Sequence, residues 1–339
     1  MKFNKIYIIA EIGSCHDGSF GNAKNLIKAA ANCGVDAVKF QTHIAEAETL
    51  PDAPSPSYFK GESRFEYFKR TAFSQEQLKK LKSCCEECGV EFISSAFSEE
   101  AVDVLEKVGV RLHKVPSGEV TNLPLLTKMA KTGKTILLSS GMSDYKEIDQ
   151  AIDVIRSHNE NLVVMQCTSA YPCEYERIGL NVLKEFKNRF NVDIGLSDHT
   201  LTAYSSYAAV MMDAKVIEKH FTLSRLMYGS DAKNSLEPDE FRDLVTGIRA
   251  IETMLANNVD KDNISAFKDM KEIFQKSIVS SKPINKGETI TKYHIGIKKP
   301  GTGLEPKYYT EIIGKKASKD ISENQVIRKE DISWEVIKK

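Results

Sequence analysis

Eight short apolar runs, each closing on polar or ionisable residues, occupy the first two-thirds of this chain of 339 residues. They fall at about 5–12, 36–42, 91–97, 111–117, 134–140, 162–169, 192–198 and 214–220, with helix-like segments between them. The runs are apolar along most of their length, as parallel strands covered by helices are. The first connecting segment places Ala23, Leu26, Ile27 and Ala30 at helical spacing. Eight such units in some 250 residues fit a closed (β/α)8 TIM barrel, an α/β fold. The alternative is an open doubly wound sheet, which usually carries a glycine-rich turn after its first strand. Gly13 and Gly18 do not form that fingerprint.

The texture changes after residue 256. The barrel is expected over 1–256, a polar linker over 257–275, and a small, mostly β domain over 276–339. That last segment carries short β-like runs at Ser277–Ser281 and His294–Ile297, with turns at Lys286-Gly287 and Pro300-Gly301-Thr302-Gly303. The irregular stretch 47–68, with Pro51, Pro54, Pro56, Tyr58, Phe59 and Tyr67, follows the second strand. A long loop there lies on the catalytic face of a barrel and is either a lid or a surface insertion.

Lysine plus arginine equals aspartate plus glutamate, 47 each, which argues against a general nucleic-acid binder. No apolar run is long enough to span a bilayer. The first apolar run leads to Glu11 rather than to a cleavage site, so no signal peptide is expected. The 7 cysteines, an odd number, favour free thiols in a reducing cytoplasm. Cys84, Cys85 and Cys88 resemble a zinc cluster, but no second ligand pair lies nearby. Leu78, Leu81, Cys85 and Cys88 follow helical spacing, which assigns two of the thiols to a buried stripe.

Chemistry in a barrel sits where strands end. Residues two apart on a strand share a face, so Ser197 shares one with His199, and Glu218 with His220. The other strand ends hold Glu11; Lys39 and Gln41; Ser95; Lys114, Ser117 and Glu119; Ser139 and Ser140; Thr168 and Ser169. Two lysines among hydroxyls suit a phosphate-bearing anion. Two histidines suit a divalent metal with open positions, and Glu11 and Glu119 suit acid, base or hydroxyl-clamp roles. Singly, each has a bland reading: an ion pair, a hydrogen-bonded histidine, a helix-capping serine. Their recurrence on successive strand ends points to a site.

Eight motifs follow one another along the chain. They are Ile-Ala-Glu-Ile-Gly at 9–13, Val-Lys-Phe-Gln-Thr at 38–42, Lys-Val-Pro-Ser-Gly-Glu at 114–119 and Leu-Ser-Ser-Gly-Met at 138–142. Cys-Thr-Ser-Ala-Tyr-Pro at 167–172, Gly-Leu-Ser-Asp-His-Thr at 195–200 and Glu-Lys-His-Phe-Thr at 218–222 come next, then Gly-Ser-Asp…Ser-Leu-Glu-Pro from Gly229 to Pro238. In order and spacing they resemble the N-acetylneuraminate (sialic acid) synthase family, and the tail from Lys276 to Ile332 is similar to that family's antifreeze-like (SAF) domain, a β-clip module. The resemblance implies condensation of phosphoenolpyruvate with an N-acetylated amino sugar, N-acetylmannosamine, to give N-acetylneuraminate and phosphate.

By that resemblance, His199 and His220 match metal ligands, for Mn2+ or Mg2+. Lys39, Ser95, Lys114, Ser117, Ser139, Ser169 and Ser197 match positions that hold the phosphoenolpyruvate phosphate and carboxylate. Glu11, Gln41, Tyr171 and Asp231 match positions facing the sugar, and Glu119 one near the reacting carbons. A domain-swapped homodimer is implied, in which a cation beside the Pro-Gly turn of one subunit reaches the sugar's acetamido group in the other. The family pattern commonly has arginine there, where this chain has Lys298 and Lys299, and Ser169 stands where some members have asparagine.

Three other readings compete. A Schiff-base aldolase would use Lys39 or Lys114 as the imine-forming amine. A legionaminic or pseudaminic acid synthase would act on a diacetamido-dideoxy sugar, and Ser-Gly-Glu at 117–119 points away from the pseudaminic branch. A non-catalytic ice-binding role conflicts with the lysines of the tail, among them Lys282, Lys286, Lys292, Lys298, Lys307, Lys315 and Lys316.

Overall fold

The computed structural model describes residues 3–54 and 62–334. The chain divides into two compact units, Met1–Asn257 and Asn258–Lys339. Among the described residues of the first, eight parallel strands close into a TIM barrel. They are β1 (Tyr7–Glu11), β2 (Ala37–Thr42), β3 (Glu91–Ala96), β4 (Leu112–Val115), β5 (Thr135–Ser139), β6 (Leu162–Cys167), β7 (Asp193–Asp198) and β8 (Val216–His220). Closure is made by β8 on β1, with Tyr7 opposite Val216 and Glu11 opposite His220. Each strand lies within one of the eight apolar runs.

Strand parity builds two cores. One face of the strands turns Tyr7, Ile9, Ala37, Ile93, Leu112, Leu137, Val163, Met165 and Val216 toward each other, filling the barrel. The other face turns Ile8, Ala10, Val38, Phe40, Phe92, Ile136, Leu138, Val164, Ile194, Leu196 and Ile217 toward the helices. Counting on by twos from the inner set gives Glu11, Lys39, Gln41, Ser95, Lys114, Ser139, Cys167, Glu218 and His220. The barrel axis is therefore apolar at the strand starts and polar at the strand ends.

The covering helices follow the expected logic. The first, Phe20–Asn32, buries Ala23, Leu26, Ile27 and Ala30, and Ser19 caps it by accepting from Asn22 N. The helix Gln75–Glu87 opens with a Ser74/Gln77 capping box and buries Leu78, Leu81, Cys84 and Cys85. The buried pair of thiols is thus Cys84 and Cys85, with Cys88 half-buried at the cap rather than in the stripe. All seven cysteines are free thiols, and no group of three or more metal-ligating side chains occurs among the described residues.

Of the stretch 47–68, residues 55–61, with Pro56, Tyr58 and Phe59, lie outside the described residues. Beyond them the chain forms a helix, Arg64–Thr71, capped by Ser63. Among the described residues no helix is long and apolar enough to cross a membrane.

The second unit starts within the expected linker, where a short helix, Lys268–Phe274, forms. β9 (Ser277–Ser280) and β10 (Ile295–Lys298) pair antiparallel, with Ser277 opposite Lys298. A separate core holds Ile278, Ile284, Ile290, Ile295, Leu304, Ile312, Ile321, Ile327 and Ile332. Burying a side chain of this size contributes about 1.5–3 kcal/mol, which suits a module with its own interior.

Candidate active site

The polar strand ends line one cavity of about 510 Å³ at the carboxyl end of the barrel. At its floor are two lysines and two glutamates, all nearly without solvent exposure. Lys39 Nζ lies 2.9 Å from Glu11 Oε2 and 3.4 Å from Glu218 Oε1. Lys114 Nζ lies 3.6 Å from the same Glu218 oxygen. The hydroxyls complete the floor: Lys39 donates to Ser95 Oγ at 3.2 Å, Lys114 to Ser139 Oγ at 2.6 Å, and Ser197 Oγ to Glu218 at 3.3 Å.

The two carboxyls are pushed in opposite directions. Burial opposes ionisation of Glu218, but Lys114 and Lys39 outweigh it and hold its pKa at about 2. Burial raises Glu11 above the usual carboxylate range, against Lys39 and with Glu218 adding to the effect. Carboxyls separated in this way divide the labour of a fixed anion and a proton-exchanging group. Burial, with Lys39 adding to it, lowers the Lys114 pKa.

One wall carries the imidazoles. His199 and His220 lie with ring centroids 5.4 Å apart at 67°, and Tyr171 packs on His199 at 4.2 Å. His199 Nδ1 donates to the Thr168 carbonyl at 2.7 Å, which leaves Nε2 as the lone-pair nitrogen. Burial, and then His220, lower the His199 pKa to about 4, so the ring is neutral at pH 7. Above them Asp231 Oδ2 accepts from Ser14 N at 2.7 Å. Gly13, at φ +51°, permits this approach: a Cβ there would stand 2.3 Å from Asp231 Oδ2.

Opposite, Gly141 N donates to Ser117 Oγ at 3.0 Å. A Cβ on Gly141 would fall 2.5 Å from Ser169 Oγ and 2.6 Å from Ser117 Oγ, filling a small hydroxyl-lined recess.

A model of the NeuB family matches residues 26–260, and a model of the SAF domain matches residues 275–333. The chain is 37% identical over 332 residues to N,N'-diacetyllegionaminic acid synthase of Campylobacter jejuni, covering 96% of this chain and 99% of that one. It is 34% identical to N-acetylneuraminate-9-phosphate synthase of Homo sapiens, over 96% and 92% of the two chains. This chain belongs to the NeuB family. Among solved structures, N-acetylneuraminic acid synthetase from Leptospira borgpetersenii superposes with a TM-score of 0.69 at 27% identity, over 79% of this chain and 91% of that one.

This NeuB-family cavity gathers the sequence-derived residues of the barrel, apart from Ser140, Thr168 and the carboxyl of Glu119. That carboxyl accepts from Asn122 Nδ2 at 2.8 Å and lines an adjoining cleft with Glu48 and Ser98. Glu119 ends a 3-10 turn, Ser117–Glu119, rather than continuing β4. A period-2 count from Lys114 reaches residues 116 and 118, so strand parity does not aim Glu119 inward. Lys299 belongs to the second unit, where its ammonium lies 4.9 Å from the centre of the Phe274 ring.

Sequence reasoning gave no role to Glu218, the carboxylate between both lysines, although its parity with His220 was legible. It also gave no individual role to Arg64, Tyr67 and Phe68, which line the cavity from the helix Arg64–Thr71 at the end of the irregular stretch. No strand periodicity marks them; only Tyr67 stood out, as an aromatic among prolines.

The imidazole wall fits a divalent cation. His220 Nδ1 is buried with no hydrogen-bond partner among the described residues, and the His199 tautomer is fixed by Thr168. Two imidazoles, with no third metal-ligating side chain grouped with them among the described residues, suit a site whose other positions belong to water and substrate oxygens.

Proposed function

We propose that this chain condenses phosphoenolpyruvate with N-acetylmannosamine, giving N-acetylneuraminate and inorganic phosphate. The observation that carries the reading is the sharing of one chamber by the Lys39–Glu218–Lys114 floor and the His199–His220 wall. Lys39 and Lys114 are point charges for a triply anionic donor, and Ser95, Ser139, Ser197, Ser117 and Ser169 supply short hydroxyl donors around it. Glu218 keeps the lysines charged and apart in the free protein; the donor takes over that role when it binds.

A divalent ion, Mn2+ or Mg2+, would be held by His199 and His220 and would supply Lewis-acid polarisation of the sugar aldehyde. The chain's own groups do the rest. Asp231, Gln41 and Tyr171 orient the open-chain sugar so that its aldehyde carbon faces the methylene carbon of phosphoenolpyruvate. The new carbon–carbon bond forms there, water adds to the former enol carbon, and the carbon–oxygen bond to phosphate breaks. Glu11, with its raised pKa, is the group suited to carry a proton to or from the sugar oxygen.

The test is incubation with phosphoenolpyruvate, a divalent cation and a panel of amino sugars, reading phosphate release and product mass. Phosphate release with N-acetylmannosamine supports the reading; a product formed only from a diacetamido-dideoxy hexose moves it to the legionaminic or pseudaminic branch. His220→Ala should lower the rate by about 10²–10³-fold, and full activity of that variant without divalent cation would refute the ligand assignment. One observation favours a Schiff-base aldolase: the lowered Lys114 pKa, which would help a lysine act as an amine. A borohydride-trapped lysine adduct, with no phosphate released, would select that reading instead.

A further inference from the structure

Gln41 joins the catalytic floor to a histidine that has no role in the chemistry above. Its Nε2 donates to Glu11 Oε1 at 2.8 Å, so its carbonyl oxygen faces the other way, 3.1 Å from His43 Nε2. The other ring nitrogen of His43, Nδ1, stands 2.7 Å from Glu48 Oε1. The imidazole is clamped on both faces, stacked on Phe68 at 3.8 Å and 9° and on Phe97 at 4.1 Å and 22°. It is nearly without solvent contact, as is the Glu48 carboxylate.

The Gln41 oxygen can only accept, so it is His43 Nε2 that carries the proton between them. If the amide of Gln41 turned over, its NH2 would meet that ring N–H. The Nε2–H of His43, held in place by Glu48 and the two aromatic rings, therefore keeps the amide in the orientation that serves Glu11. The charged groups around the ring are Glu48 at hydrogen-bond distance, with Glu119, Arg64 and His16 coupled to the same cluster.

We propose that His43, stacked between Phe68 and Phe97 and anchored on Glu48, is a positioning residue that holds the Gln41 amide toward Glu11 and so sets the sugar-facing side of the site. This rests on the proposed condensation only for its kinetic readout. His43→Phe keeps an aromatic ring in the stack and removes the Nε2 donor. The expected result is a KM for the amino sugar raised roughly tenfold, the worth of one lost hydrogen bond, with the KM for phosphoenolpyruvate unchanged within about twofold. His43→Gln restores a donor near the Nε2 position and should recover most of the loss. Added to Gln41→Ala, His43→Phe should have little further effect, since it acts through that amide. Equal changes in both KM values, no rescue by His43→Gln, or fully additive effects would overturn the proposal.

A second measurement needs no substrate. With histidine-selective 15N labelling, the His43 ring, assigned by its loss in His43→Phe, should show a protonated Nε2 in the full-length protein. An unprotonated Nε2 in the parent protein would sink the idea. If no sugar in the panel releases phosphate, the proposed function fails and the labelling result alone decides this inference.

Discussion

Two buried charge clusters lie back to back on β7 and β8, and they are built to opposite ends. Glu218 and His220 face the barrel axis; Asp198 and Lys219 face the helix layer. In the outer cluster Asp198 Oδ2 accepts from Lys219 at 2.8 Å, from Ser205 at 2.6 Å and from Ser206 at 2.9 Å, while Oδ1 accepts from Thr200 N. Lys219 donates again to Thr200 Oγ1 at 3.0 Å. In the inner cluster one Glu218 oxygen is shared by two lysines at 3.4 and 3.6 Å, and its other oxygen, like His220 Nδ1, has no hydrogen-bond partner among the described residues. The first cluster is complete within the chain. The second has binding capacity left over, which is what a substrate site needs and a structural ion pair lacks.

The sharpest way to break this contrast is to remove one lysine from each side. Lys219→Met leaves Asp198 buried without a cation and should cost about 3–5 kcal/mol of unfolding free energy. Lys114→Met leaves Glu218 on Lys39 and should cost less than half of that, while kcat/KM for phosphoenolpyruvate falls by about 10²–10³-fold. Denaturant titrations and initial rates on both variants decide it: equal stability costs would mean that the inner cluster is structural too. Pairing Lys219→Met with Asp198→Leu should regain much of the loss, since an apolar replacement of a whole buried pair is often neutral.

A third buried group sharpens the comparison through pH. Burial lowers the His16 pKa to about 4, against Asp231, and its ring packs on Phe73 at 4.5 Å. Its folded pKa lies below the unfolded value of about 6.5, so the unfolded chain binds more protons between those limits. Stability from this group is intact above about pH 6.5, declines as pH falls, and is fully lost below about pH 4, a change of roughly 3 kcal/mol. His16→Phe should flatten the pH profile of the unfolding free energy by that amount. His199 contributes a slope of the same sign, so the parent-minus-variant difference is the quantity to read. An unchanged slope would mean that His16 is not held neutral.

The smallest expected effect tests the sugar side. Gly13→Ala forces Asp231 aside and should raise the KM for the amino sugar several-fold, about 1 kcal/mol, with the phosphoenolpyruvate KM unaffected. A shift in both would place Asp231 in donor binding instead.

Much of this site was legible because strand parity is a local property. The period of 2 that makes Ile9, Ile93 and Leu137 core residues also brings Glu11, Ser95 and Ser139 to the mouth, and the covering-helix stripes follow period 3.6 in the same way. Parity failed where regular backbone stopped. Glu119 follows Lys114 after a proline and a 3-10 turn, and the count no longer says which way its side chain goes. Arg64, Tyr67 and Phe68 reach the cavity from a helix whose place no strand register fixes.

The sequence by itself determined that there would be eight parallel strands, apolar below and polar at their ends, because those patterns are set by each residue's own neighbours. Tertiary structure decided which distant groups share a charge. Glu11 and Lys39 meet because β1 and β2 pair at that register, and Glu11 meets His220 because β8 closes on β1. Barrel closure is a non-local event, and only it converts a row of polar strand ends into one carboxylate between two lysines beside two facing imidazoles.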